Sequence, residues 1–342
     1  MPATALEGMT TSSGWNITNL ISEKLGSGGN FCCRYTAESP DGETGFLKAM
    51  DLTRAPVHDI RALQTLINTY VFEQDILYYC KDRKMTRVVT PLDAGQIAVP
   101  SFHPPLNQVY YVIFENADGD LRQRHLENPA KSWGAAFKTL HHVAVGAHQL
   151  HLAGIAHQDI KPSNILCFND TESKISDLGR VTDTNATSPF SSEQFTGDRS
   201  YAPPEVRYGI MPNEFSDRYY ADVYMVGSLA YHLVTNAQIA GVQLIEARRL
   251  MGASHAVSYA DAVPFLQTSF STILQRYHQD CTNIFGSDIA DKLTNIVSEM
   301  CNPDMSKRGS PKHTSKIPKL SMTRYIGKFA NLVRTAHING FK

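Results

Sequence analysis

The stretch that most constrains this chain begins where a helix-spaced apolar series ends. Phe137, Leu140, Val143, Ala144, Ala147, Leu150 and Gly154 recur at helical spacing, which predicts a buried helix delivering a loop. That loop is Ile155-Ala156-His157-Gln158-Asp159-Ile160-Lys161-Pro162-Ser163-Asn164-Ile165-Leu166, and Lys174-Ile175-Ser176-Asp177-Leu178-Gly179 follows it. An Asp, a Lys and an Asn at fixed offsets, with Asp-x-Gly thirteen residues past the Asn, is a spacing that chance rarely produces.

Upstream, short β-like runs such as Gly45 to Met50 and Val109 to Phe114 flank one long helical stretch from about His58 to Cys80, the pattern of a small sheet carrying a helix. Leu25-Gly26-Ser27-Gly28-Gly29-Asn30-Phe31 sets three glycines together, where backbone N–H groups can approach a polyphosphate with no Cβ in the way; taken alone, such a cluster is more often a bulge or turn. Lys48 stands in the apolar run Phe46-Leu47-Lys48-Ala49-Met50, where its charge needs a partner unless it faces solvent. Glu73, beside the apolar Phe72, Ile76 and Leu77, is the candidate partner on the helix. Beyond Gly119 the chain turns mainly helical, with helices expected near 219 to 235 and 287 to 300 and a last one after Ser321, a candidate N-cap. The stretch 252 to 286 fits no motif.

The loop and the Asp-Leu-Gly that follows it resemble the catalytic loop and metal-binding motif of eukaryotic-like (Hanks-type) serine/threonine protein kinases, and of their soluble bacterial members in particular. The resemblance runs from the glycine cluster to the final helix. It implies an α+β, bilobal fold: an antiparallel sheet with one helix as the N-lobe over 15–115, and a larger, mainly helical C-lobe over 116–342. One kinase domain would span 15–338 behind a flexible leader at 1–14. The implied reaction moves the γ-phosphoryl of ATP to a protein hydroxyl, the enzyme itself included. Asp159 would accept or orient the proton of the attacking hydroxyl, and Lys161 would neutralise charge on the transferring group. Asn164 and Asp177 would hold Mg²⁺, with Mn²⁺ as the alternative ion. Leu25, Gly26, Ser27, Gly28, Gly29, Cys33, Phe46, Lys48, Glu73, Phe114, Glu115, Ala117 and Leu166 would form the ATP site, with backbone groups of Glu115 and Ala117 bonding adenine. Movement of the helix bearing Glu73 would be the control point. Tyr201-Ala202-Pro203-Pro204-Glu205 resembles the end of the activation segment, with Arg308 as partner of Glu205. Asp222 resembles a buried aspartate that needs hydrogen-bond donors from the catalytic loop.

The chain departs from the family pattern at several positions. Phe31 replaces the third glycine of the loop, and Phe46 and Cys33 alter residues expected to line the adenine pocket. Leu178 stands for phenylalanine and would pack beneath the Glu73 helix. Gln158 replaces the arginine that in many members pairs with a phosphate on the activation segment; an amide cannot make that bidentate pair. Activity independent of phosphorylation between Asp177 and Glu205 is therefore expected, although Ser188, Ser191, Ser192 and Thr196 offer hydroxyls. Asp198 stands where serine/threonine kinases carry threonine, while Lys161 with Pro162 supports the hydroxyl-amino-acid branch. Two rival readings are a pseudokinase scaffold and a small-molecule kinase; the retained Lys48, Asp159, Asn164 and Asp177 oppose the first, and Lys161 with the Glu205–Arg308 pairing opposes the second.

Thirty-two Lys and Arg against 33 Asp and Glu leave no global field for a nucleic-acid partner. Six cysteines without paired zinc spacing, and no signal-peptide pattern or apolar run near the roughly 20 residues of a spanning helix, point to a cytoplasmic protein not inserted in a membrane. The expected partner is a protein substrate.

Overall fold

The structure is a computed structural model that describes residues 1–21, 32–50, 52–54, 60–104, 107–128, 132–169, 171–252, 258–314 and 318–341. Its N-terminal part is a five-stranded antiparallel sheet. Strands β1 (Asn16–Leu20), β2 (Cys32–Glu38) and β3 (Thr44–Met50) precede helix α1 (Ile60–Asp82), and β4 (Pro91–Ala98) and β5 (Gln108–Glu115) follow it. The spatial order is β1-β2-β3-β5-β4. Period-two alternation sorts the two faces. Tyr35, Leu47, Ala49, Tyr111 and Ile113 point to the outer face and are fully buried there with Leu6, Trp15 and Ile17. Phe46 and Lys48, opposite Phe114 and Val112 on β5, point to the inner face.

Residues 1–14, expected as a loose leader, are packed instead. Ala3 and Leu6 are buried in the outer-face core. The Tyr35 hydroxyl donates to the Ala3 carbonyl at 2.8 Å, and the Gly8 amide donates to the Ile17 carbonyl at 2.8 Å. The segment thus covers apolar sheet surface that water would otherwise meet.

The C-terminal part opens with β6 (Gly119–Asp120) and α2 (Trp133–Leu152), the buried helix read from its apolar spacing, with Phe137, Leu140, Ala144, Ala147 and Leu150 fully buried. Short strands β7 (Ile155–Ala156), β8 (Ile165–Phe168), β9 (Glu172–Ile175) and β10 (Thr182–Asp183) bracket the catalytic-loop motifs. Helices α3 (Pro204–Arg207), α4 (Arg218–Thr235), α5 (Ile239–Met251), α6 (Tyr259–Phe285), α7 (Ser287–Met300) and α8 (Thr323–Ile338) complete the chain. Helix α8 begins one residue later than the Ser321 cap expected from sequence: Met322 is its N-cap and makes no side-chain cap bond, while the Ser321 hydroxyl, one residue outside, accepts from the Thr323 amide at 3.3 Å. The stretch without a motif is mostly α6. Leu266, Phe270, Ile273, Tyr277, Cys281 and Phe285 form its buried stripe at helical spacing.

Candidate active site

The cleft between the sheet and the helical part has a volume of about 270 Å³. Phe46, Lys48, Glu73, Phe114, Glu115, Ala117, Asn164, Leu166 and Asp177, all expected at the site, line it. A larger cavity, about 640 Å³, lies between α1 and the segment after β10, but none of the lysine, Glu73, Asn164 or Asp177 machinery faces it. Chemistry, not volume, therefore marks the smaller one as the site. Leu25, Gly26, Ser27, Gly28 and Gly29 lie outside the described residues.

One expected residue is displaced. Cys33 is buried in the outer-face core, and Cys32 and Arg34 occupy the cleft face. The pairing explains why: Arg34 lies opposite Lys48 and Cys33 opposite Ala49, so even-numbered residues of β2 share the face of Lys48. Cys32 is close enough to Lys48, Glu73 and Asp177 to feel their charges, and burial chiefly raises its thiol pKa.

Lys48 Nζ donates to Glu73 Oε1 at 2.9 Å and lies 3.5 Å from Asp177 Oδ1. Burial works against the Lys48 charge, but Glu73 and Asp177 outweigh it and hold its pKa well above the ordinary lysine value. Asp177 is likewise opposed by burial but held below the usual carboxylate range by Lys48, His157 and Lys161. Helix α1 is seated against the sheet and the Asp177 turn: Tyr70 of α1 bonds the Tyr111 carbonyl of the sheet, and Leu178 packs beneath α1 with Phe72 and Ile76, as expected for the leucine at that position. Gly179 passes close beneath Glu73: a Cβ there would lie 3.1 Å from Oε2, so a side chain at this position would press on the carboxylate that holds Lys48.

The catalytic loop is built from below. Asp222, fully buried on α4, accepts the amides of His157 and Gln158 at 2.8 and 2.6 Å and meets His151 Nε2 at 2.8 Å. Those bonds hold Gln158 at a φ of 60°, a left-handed conformation that a non-glycine residue keeps only when its surroundings fix it. The Asp159 amide donates to His157 Nδ1 at 3.2 Å, so His157 carries its proton on Nε2 and donates to the Ser176 carbonyl at 3.0 Å, joining the catalytic loop to the Asp177 turn. Asp159 then faces Lys161 at 3.0 Å and Asn164 Nδ2 at 3.0 Å through Oδ2, and accepts the Asp198 amide at 2.8 Å through Oδ1. Asp198 also sets its carboxylate 3.7 Å from Lys161, so a charge stands beside Asp159 and Lys161 where the resemblance leads one to expect threonine.

Whether this site suits a divalent cation can be judged from its donors. Asn164 spends its amide hydrogens on Asp159, which leaves Oδ1 as the oxygen able to bind a cation, and Asp177 brings carboxylate oxygens to the same cleft. Among the described residues no group of three His, Cys, Asp or Glu forms an all-protein cage. Mg²⁺ needs none, since it keeps waters and takes one or two carboxylates plus phosphate oxygens. The donor set fits.

A two-lobed fold with the Lys48–Glu73 pair above a cleft and the Asp159–Lys161–Asn164 loop below it is the arrangement of a protein-kinase domain. The chain matches the family described as "Protein kinase domain" over residues 20–318, and it belongs to that family. Among curated relatives, serine/threonine-protein kinase PknL of Mycobacterium tuberculosis is 36% identical over 118 residues, 34% of this chain and 28% of the relative. Serine/threonine-protein kinase par-4 of Caenorhabditis elegans is 30% identical over 140 residues, covering 39% and 22% of the two chains, and serine/threonine-protein kinase mos of Patiria pectinifera is 29% identical over 132 residues, 36% of each. The matched segments thus span from about a fifth to about a third of these relatives, which are bacterial and animal alike. Among the described residues no helix is long and apolar enough to cross a membrane.

Proposed function

We propose that this chain is a protein serine/threonine kinase that transfers the γ-phosphoryl of Mg·ATP to a hydroxyl of a protein substrate. The observation that carries the reading is the assembled pair of constellations: Lys48–Glu73–Asp177 above the cleft and Asp159–Lys161–Asn164 below it, joined through His157 and Ser176. Lys48, fixed by Glu73, holds phosphate oxygens, and Phe114 closes the rear of the adenine pocket. Asp159 accepts the acceptor hydroxyl's proton as that oxygen bonds to the γ-phosphorus and the bond to the β–γ bridging oxygen breaks. Lys161 offsets charge on the moving group at a position preset 3.0 Å from Asp159. Asn164 and Asp177 would hold Mg²⁺, with Mn²⁺ as the alternative ion, and the metal supplies positive charge against the phosphate oxygens. Lys161 followed by Pro162, together with the names of the relatives above, supports serine or threonine as acceptor. The six cysteines carry no disulfide, which suits the reducing cytoplasm.

The test is transfer of radiolabelled phosphoryl from Mg·ATP to the protein itself and to a generic basic protein, beside Asp159→Asn, followed by phosphoamino-acid analysis. Label on serine or threonine that vanishes with Asp159→Asn supports the reading. ATP binding without any transfer refutes it.

A further inference from the structure

The activation segment, Asp177 to Glu205, is fastened to the catalytic loop by hydrogen bonds of its own. Arg218, the first residue of α4, is buried to 8% exposure. Its Nη1 donates to Gln158 Oε1 at 3.0 Å, and its Nη2 donates to the carbonyls of Ser191 and Glu193 at 2.9 and 2.7 Å. Gln158 passes the connection on, its Nε2 donating to Thr182 Oγ1 at 2.7 Å. One guanidinium thus ties the middle of the segment to the residue beside Asp159.

Two hydroxyls close the same stretch. Ser188 Oγ donates to the Val181 carbonyl at 2.7 Å, and Thr196 Oγ1 donates to the Arg180 carbonyl at 2.7 Å. Arg180 Nη1 returns a bond to the Thr196 carbonyl at 3.1 Å. Ser188 and Thr196 are 5% and 4% exposed. A phosphate on either oxygen would delete the donated hydrogen and bring a charge of about −2 into a buried site, so of the four candidate hydroxyls these two are structural. Gly197 crosses the Gln158 carbonyl so closely that a methyl group there would collide with it. Immediately beyond it, the Asp198 amide reaches Asp159. Slack anywhere between 188 and 197 would be felt at the catalytic aspartate.

We propose that Arg218 is a resident clamp of the activation segment, a positioning residue that lets phosphoryl transfer proceed with no phosphate on that segment. A rigid fork of donors suits three acceptors lying in different directions, and bonds from a charged donor to carbonyls are about twice as strong as neutral ones. Many members of the family put an arginine next to the catalytic aspartate and await a phosphate. Here the cation comes from α4, and the position beside Asp159 holds its acceptor. The proposal rests on the kinase reading above.

The experiment uses the full chain co-expressed with a phosphatase, its phosphate-free state confirmed by intact mass, and initial rates on the protein acceptor identified in the transfer assay. Wild type without phosphate is expected to keep its rate within about twofold of the untreated protein. Arg218→Met should lower kcat by about tenfold or more, the scale of an ångström-level misplacement, with KM for ATP within about twofold. Limited proteolysis should then cut between 184 and 200, and Arg218→Lys should regain part of both losses. Rate lost on dephosphorylation and regained on incubation with ATP overturns the clamp, as does a folded Arg218→Met with wild-type rate and protection. Should Arg218→Met fail to fold, the dephosphorylated wild type decides alone. Wild type inactive in both states refutes the kinase reading itself, whereas activity lost only after dephosphorylation refutes the clamp and leaves that reading standing.

Discussion

Among the described residues Arg308 is the largest fully buried side chain, and the cost of removing it can be worked from its bonds. Its two terminal nitrogens meet both carboxylate oxygens of Glu205, the Nη2–Oε2 bond at 2.8 Å. Nε donates to the Asn302 carbonyl at 3.0 Å, Nη1 to the Tyr220 carbonyl at 3.2 Å, and the guanidinium lies 4.9 Å from the Tyr224 ring centre. Arg308→Met would strand a carboxylate that is 3% exposed and two carbonyls besides, which places its cost near the upper end of the roughly 3–5 kcal/mol seen when one half of a buried pair is lost. Glu205→Gln leaves the guanidinium its two carbonyls and an amide oxygen, so its cost belongs near the lower end, about 3 kcal/mol. With about 2.1 cal/mol/K of unfolding entropy per residue over 342 residues, these become Tm shifts of about 7 and 4 °C. The double variant Glu205→Met/Arg308→Met removes both charges together and should melt above Arg308→Met, because the desolvation burden goes with the pair. Scanning calorimetry at one fixed scan rate reads all three. A Glu205→Gln shift under 1 °C, or a double variant melting below Arg308→Met, would refute the claim that desolvation dominates here.

Leu6 is fully buried against the sheet, so Leu6→Ala should cost about 2–5 kcal/mol; urea melts that leave stability unchanged would return residues 1–14 to a loose leader. Swapping the two thiols tests the register of β2: Cys32→Leu should raise KM for ATP, whereas Cys33→Leu should lower Tm with KM unchanged, and the reverse result would place Cys33 in the cleft. Burial first, then Arg87, lowers the His142 pKa to about 3, and its Nδ1 accepts the Ser173 amide at 3.2 Å. Since the unfolded imidazole takes its proton near pH 6.5 and the folded one does not, this stability is whole above pH 6.5 and fades as pH falls. Between pH 7 and pH 5.5 wild type should lose roughly 1 kcal/mol that His142→Asn does not, after allowance for partial solvent screening. Parallel pH–stability curves for the two proteins would contradict it.

What could be read from the residues and what could not divide along a physical line. Asp159, Lys161, Asn164 and Asp177 are legible because their spacing is local: a loop and a turn bring them together wherever the rest of the chain goes. The demand of Asp222 for donors was legible for the same reason, since burying a carboxylate obliges partners, and the amides of His157 and Gln158 supply them. Its third partner, His151, was not, because nothing in α2 marks one histidine among several as facing α4. Cys33 was misplaced by one residue, which in a strand is the whole error, because period two sends neighbours to opposite faces and pairing alone fixes which. The stripe of α6 is present in the sequence only as helical spacing, which carries no chemistry and so forms no motif. Arg218 is the instructive case. In sequence it is a polar residue before an apolar helix, with every expectation of a solvated place. Its function exists only because Gln158 stands at the position next to Asp159. A substitution read as the loss of a phosphate-binding cation is, in the fold, the acceptor for a cation placed sixty residues on. Such a compensation joins two positions that each look like a defect or a surface charge when taken singly, so it becomes visible only when both ends of the bond are seen at once.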